Sequence, residues 1–145
     1  MGILSRLFGS GSDYRERDND KRQKFQKLEK LYAGNTEMIN SAKAFCLTSR
    51  GNNYGERGYL DQAILDFKEA IQFKPDHIPA FLSLGLAYSG KGMFQEALSL
   101  LKSSPRKWKL YDAQELDADP EMIQQLNTLI RELEQRQRIE EERDP

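Results

Sequence analysis

Sliding the chain by 34 residues preserves residue character at seven positions. Gly51 falls on Gly85, Tyr54 on Tyr88, Gly58 on Gly92 and Ala63 on Ala97; Phe67 falls on Leu101, Leu60 on Phe94 and Leu47 on Phe81. No other feature constrains the fold as much, because a period of roughly 20–50 residues marks units that bury their apolar faces only by stacking. The unit is helical: from Thr36 to about Ser104 no run alternates as a half-buried strand does. The segment "KPDHIP" at 74–79 interrupts it, with Pro75 ending one helix and Asp76 placed to cap the next. The logic of the spacing is steric. Glycines at 51 and 85 and alanines at 63 and 97 let helix backbones approach, and Tyr54, Phe67, Phe81, Tyr88 and Leu101 fill the space between units. Gly58 and Gly92 fall in the turn within each unit, where a positive φ costs glycine little.

The spacing resembles the tetratricopeptide repeat, whose pattern is W-x2-L-G-x2-Y…A-x3-F…P over 34 residues. In the second unit, "FLSLGLAYSGKGMFQEALSLL", Phe81 takes the Trp slot, Leu84 and Gly85 the Leu-Gly slots, Tyr88 the Tyr slot, Ala97 the Ala slot and Leu101 the Phe slot. In the first unit Leu47, Gly51, Tyr54, Ala63, Phe67 and Pro75 fill their places, and Arg50 stands where Leu is expected. The second unit departs from the pattern at its end, with Ser104 for the small Ala, Lys109 for the Pro, and Pro105 early. The resemblance places two units at about 44–77 and 78–111, roughly half the chain, and implies an all-α fold: a short α-solenoid of helix-turn-helix units with flanking capping helices.

No third unit follows in register: position 119 is Asp and 131 is Arg, and on the other side position 29 is Glu. Two units are too few to cover each other, so the flanks are expected to act as caps. At 120–139 a helix opens on Asp119-Pro120, and Met122, Leu126, Leu129 and Leu133 recur at helical spacing, with Ile123 and Ile130 widening the stripe; beyond Leu133 the charged run is expected to fray. Phe25, Leu28, Leu31 and Tyr32 mark a second amphipathic helix at about 19–33, stopped by Gly34-Asn35. The chain is thus expected to divide into a flexible segment at 1–12, a charged helix at 13–35, two units at 36–112, and a capping helix with a charged tail at 113–145.

Several chemistries lack their residues. The net charge of −1 selects neither nucleic acid nor an anionic membrane. A phosphate loop needs a lysine followed by Ser or Thr; "GNNYGERG" has neither, and in "SGKGM" Gly92 replaces the hydroxyl. One histidine, His77, and one cysteine, Cys46, do not make a zinc site. The acids of "DAQELDADPE" carry Pro120 rather than the calcium-loop glycine, and Asp66 and Glu69 are read as solvated helix-face carboxylates. The chain is expected to be non-enzymatic and to use no cofactor. "KSSPRKWKLY", with Trp108 among basic residues, reads as a connecting loop covering the second unit, not a nucleic-acid surface. With no apolar run of the ~20 residues a span needs, no signal-peptide core and a single cysteine, a cytoplasmic protein is expected.

By resemblance, such repeats present the concave face of their first helices to an extended peptide or amphipathic helix of a partner protein. On that face lie Phe45, Thr48, Asn52, Leu82, Ser83 and Leu86. Relatives that clamp a terminal carboxylate use a basic residue and paired asparagines; Asn52 matches one Asn, but Thr48 stands in the basic slot and Ser83 in the second Asn slot, so the resemblance does not carry that specificity over. The groove reads as neutral to apolar. Two other roles follow from other residues. The incomplete stack could self-associate through its ends as a homo-oligomer. Ile3, Leu4, Leu7 and Phe8 form one helical face that could make a weak peripheral membrane contact or dock into a partner; the myristoylation pattern is missed, because Arg6 stands where Ser or Thr is required.

Overall fold

The computed structural model describes residues 11–103 and 120–144, the first seven of these as backbone only. Six helices occur among them: α1 Gly11–Leu31, α2 Thr36–Glu56, α3 Leu60–Phe73, α4 Ile78–Gly90, α5 Phe94–Lys102 and α6 Pro120–Arg143. No strand occurs among the described residues, and the fold is an all-α helical repeat. The chain forms two compact units, 1–43 and 44–145, and α2 runs through the division.

In the first unit α1 begins at Gly11, well before the 19–33 span that the apolar stripe marks. The added residues include Arg15, Glu16 and Arg17, all good helix formers, and within the expected span Asp20 pairs with Lys24 at 2.9 Å on the outer face. Phe25, Leu28 and Tyr32 are half-buried, but Leu31, expected beside them, is 72% exposed. Lys43 links α1 to the start of α2: its Nζ lies 5.0 Å from the Phe25 ring centroid and donates to Glu29 at 2.6 Å. Gly34 turns the chain at φ 85°, and the Asn35 side chain accepts from the Met38 amide at 3.0 Å, capping α2.

In the second unit the 34-residue echo is an echo of hydrogen bonds. At the end of α2 the Tyr59 amide donates to the Tyr54 carbonyl at 2.9 Å and the Gly58 amide to that of Gly55 at 3.0 Å. At the end of α4 the Met93 amide donates to Tyr88 at 2.9 Å and the Gly92 amide to Ser89 at 3.0 Å. This is the paired 6→1 and 5→2 arrangement that closes a helix on a left-handed residue. Gly58 and Gly92 supply that residue, at φ 82° and 75°. The apolar contact that accompanies such turns is an edge-on pair of Tyr54 and Tyr59, ring centroids 6.5 Å apart.

Small residues then set how closely α2 and α3 pack. A Cβ on Gly51 would stand 2.5 Å from the Phe67 ring, and one on Gly85 3.3 Å from both Leu101 and Leu129. Ala63, Ala70 and Ala97 are fully buried. Beside Gly51, Arg50 explains its departure from the repeat pattern. Its Nε and Nη2 donate to the two carboxylate oxygens of Asp66 at 2.7 and 2.6 Å, and its guanidinium lies 5.7 Å from the Tyr54 ring centroid. Asp66 is therefore not the solvated carboxylate its helix position suggests; it is 3% exposed. The second unit has Leu84 and Leu100 at the corresponding places, so an ion pair here replaces an apolar pair.

The join between units differs in one detail from expectation. The cap of α4 is His77 rather than Asp76, and it makes no side-chain capping bond. Its Nε2 is buried without a hydrogen-bond partner, and desolvation by burial, with Lys74 nearby, lowers its pKa below the ordinary histidine value. Beyond α5, α6 packs on both helices of the second unit. Ile123, Leu126, Leu129 and Leu133 enter one core with Ile78, Phe81, Leu82, Ala97, Leu98 and Leu101. The capping stripe is as read, but α6 continues through its charged end to Arg143 instead of fraying. Arg136 covers the Phe94 ring at 4.6 Å, Lys102 approaches Glu134 at 3.7 Å, and Gln137 donates to Glu141 one turn on at 2.9 Å. Trp108 and its basic neighbours, the Asp119 cap, and Ile3, Leu4, Leu7 and Phe8 all lie outside the described residues.

Candidate partner-binding groove

Packing α4 between the end of α2 and the length of α6 leaves two clefts on one surface. The first, of about 300 Å³, is lined by Asn52, Gly55 and Glu56 of α2, Leu60 and Phe67 of α3, and Ser83, Leu86 and Ala87 of α4. The second, of about 400 Å³, lies between Leu86 and a face of α6 formed by Glu121, Gln124, Gln125, Thr128, Leu129 and Glu132. Leu86 belongs to both and is 52% exposed, a large aliphatic side chain standing on the ridge between them.

The expected groove residues separate into three groups. Asn52, Ser83 and Leu86 come together at the first cleft, where the Ser83 hydroxyl donates to the Asn52 side-chain oxygen at 3.0 Å. That bond leaves the Asn52 amide NH2 as the polar donor at the rim. Phe45 is 67% exposed on α2 but lines neither cleft. Thr48 and Leu82 are buried, at 5% and 6% exposure. The Thr48 hydroxyl bonds back to the Ala44 carbonyl at 2.8 Å, and Leu82 sits in the core with the α6 leucines. Their surface role is revised to packing.

Two contributions escape a reading of the first helices alone. Gly55 has nothing within 4 Å of where a Cβ would stand, so its missing side chain keeps the first cleft open. On α6, Glu121, Gln125, Thr128 and Glu132 follow the 4-3-4 spacing of Met122, Leu126, Leu129 and Leu133, displaced by one residue. That parallel row was readable, but only once α6 is known to flank a cleft. Glu56 lines the first cleft, and Glu121 and Glu132 line the second, among the described residues. Among the described residues no three His, Cys, Asp or Glu side chains converge as a metal site.

Residues 51–92, from the last turns of α2 through the turn after α4, match the family described as TPR repeat. Over those residues the chain is similar to the TPR repeat family. No curated protein and no solved structure matches it. The TPR family is in general a non-enzymatic protein–protein interaction repeat. The matched residues span the whole first cleft, and the second adds α6, which lies beyond the TPR match. No helix among the described residues is long and apolar enough to cross a membrane.

Proposed function

We propose that this chain is a binding module that takes a polypeptide segment of a partner protein along the surface where α2, α4 and α6 meet. The observation that carries the reading is Leu86: an exposed leucine shared by two adjoining clefts offers a continuous apolar track with amides and hydroxyls at its edges. An interaction surface of this kind gains affinity from a central apolar anchor, and its polar rim fixes orientation. Self-association through an open end of the stack is less well supported, because α6 already occupies the end of the second repeat with four buried aliphatic side chains.

The reading is tested by affinity capture with the full chain and with an Asn52→Ala/Leu86→Gln double variant. Both positions are exposed, so the variant is expected to keep its helical circular dichroism, with its stability changed by only about 0.5 kcal/mol, as is usual for surface changes. Partners captured by the parent chain are expected to be lost. An unchanged set of partners on a folded double variant removes the groove as the binding surface.

A further inference from the structure

We propose that the Arg50–Asp66 ion pair is a pairing code: it makes α2 select α3, the second helix of its own repeat, over α5, the second helix of the other. The need for such a code comes from the repeat itself, because the steric features that join the two helices are shared. A Cβ on Gly51 would meet Phe67, and one on Gly85 would meet Leu101. Ala63 and Ala97 are both fully buried, and α2 and α4 end in the same turn on Gly58 and Gly92. By size and shape α2 therefore also accepts α5, with Leu101 in the place of Phe67. An apolar residue of about the right size is enough to bring such a core together. The same exchange is open between copies of the chain, where α2 of one meets α5 of another.

One place breaks the equivalence. Positions 50 and 84 correspond at the 34-residue offset, as do 66 and 100; they hold Arg50 and Asp66 in the first repeat and Leu84 and Leu100 in the second. Arg50 donates from Nε and Nη2 to the two carboxylate oxygens of Asp66, which is 3% exposed. Leu84 is buried, and Leu100 packs against the core that α4, α5 and α6 share. Exchanging partners sets Arg50 against Leu100 and Asp66 against Leu84. Each charge then loses the other in a desolvated place. Separating a buried pair in this way disfavours the exchanged arrangement roughly a hundredfold to a thousandfold. An apolar pair in both repeats would leave the two arrangements alike here. Leucines already fill this place in the second repeat, so what the ion pair adds is a difference between right and wrong partners.

The test refolds the full chain from urea at low and at high protein concentration, then records backbone-amide NMR spectra and the mass by light scattering. The parent is expected to give one set of amide resonances and one mass at both concentrations. Arg50→Leu/Asp66→Leu makes the repeats alike at this place. It is expected to fold, but with additional resonance sets or concentration-dependent oligomers, as the exchanged form rises roughly a hundredfold. Leu84→Arg/Leu100→Asp makes them alike in the opposite sense with the native pair intact, and is expected to lose its single form in the same way. A pair that only held α2 on α3 would leave this second variant in one form. One resonance set and one mass in Arg50→Leu/Asp66→Leu overturn the proposal, as does its failure to fold, which would make the pair a requirement of the native contact. Several forms in the parent, or a folded Leu84→Arg/Leu100→Asp with a single resonance set, overturn it as well.

Discussion

Gly51 and Gly55 are one helical turn apart on α2, yet the structure assigns them opposite tolerances. Gly51 lies against Phe67 so closely that an added methyl must displace an aromatic ring that is itself 2% exposed. Gly51→Ala is expected to destabilise by about 1–3 kcal/mol, the range for overpacking a filled core. Gly55 has open space before it, so Gly55→Ala is expected to stabilise by about 0.5–1 kcal/mol through helix propensity alone. Urea denaturation of the two variants checks both signs. The repeat offset made Gly51 legible, because its echo at Gly85 meets the same kind of contact. Gly55 has Ser89 as its counterpart, so periodicity was silent about it and only the cleft explains it. Arg50 and Asp66 were likewise opaque: each looks like a surface charge by its own helix position, and their pairing exists only across two helices. Arg50→Leu alone leaves Asp66 buried without its partner and is expected to cost about 3–5 kcal/mol. Arg50→Leu/Asp66→Leu, which copies the residue types found at Leu84 and Leu100, is expected to recover most of that loss in a double-mutant cycle. A double variant as unstable as the single one contradicts the view that the pair substitutes for an apolar contact.

At the scale of elements, the turns and the apolar stripe of α6 were the most legible parts. Gly58 and Gly92 repeat in the sequence because two helices end in the same hydrogen-bonded turn, a local requirement that a single chain position carries. The capping stripe of α6 was legible for a similar reason: burial on one side writes a helical period. Helix ends in charged sequence were not, since side-chain pairs and cation–aromatic contacts there leave no apolar period. The α3–α4 connection holds the chain's single histidine, and this gives it a distinct pH dependence. Burial lowers the His77 pKa in the folded state below its ordinary value of 6.5, so the unfolded chain binds the proton more readily. This contribution to stability is fully present above that ordinary value and falls as the pH drops below it toward the lowered folded pKa. The urea midpoint of the parent chain is therefore expected to fall between pH 7.5 and 6.0 more than that of His77→Asn. Parallel slopes in the two proteins contradict a buried neutral imidazole at this join.

For the whole molecule, the proposed binding surface includes an edge that no single repeat contains. The first cleft belongs to the tandem units, and its position follows from the 34-residue echo. The second arises only where α6 docks, with Glu121 and Glu132 among its described lining residues. The sequence shows α6 as a cover for apolar side chains, because the residues that bury leave the strong pattern and those that flank them leave a weak one. The central claim is that binding occurs on this composite surface. Hydrogen-exchange mass spectrometry of the full chain, with and without a partner protein recovered by the affinity capture above, tests it most directly. The claim predicts slowed exchange in three separated stretches, residues 52–60, 83–90 and 121–132, with little change across the middle of α3 around the exposed Leu65. Protection centred on α3, with those three stretches unchanged, contradicts it.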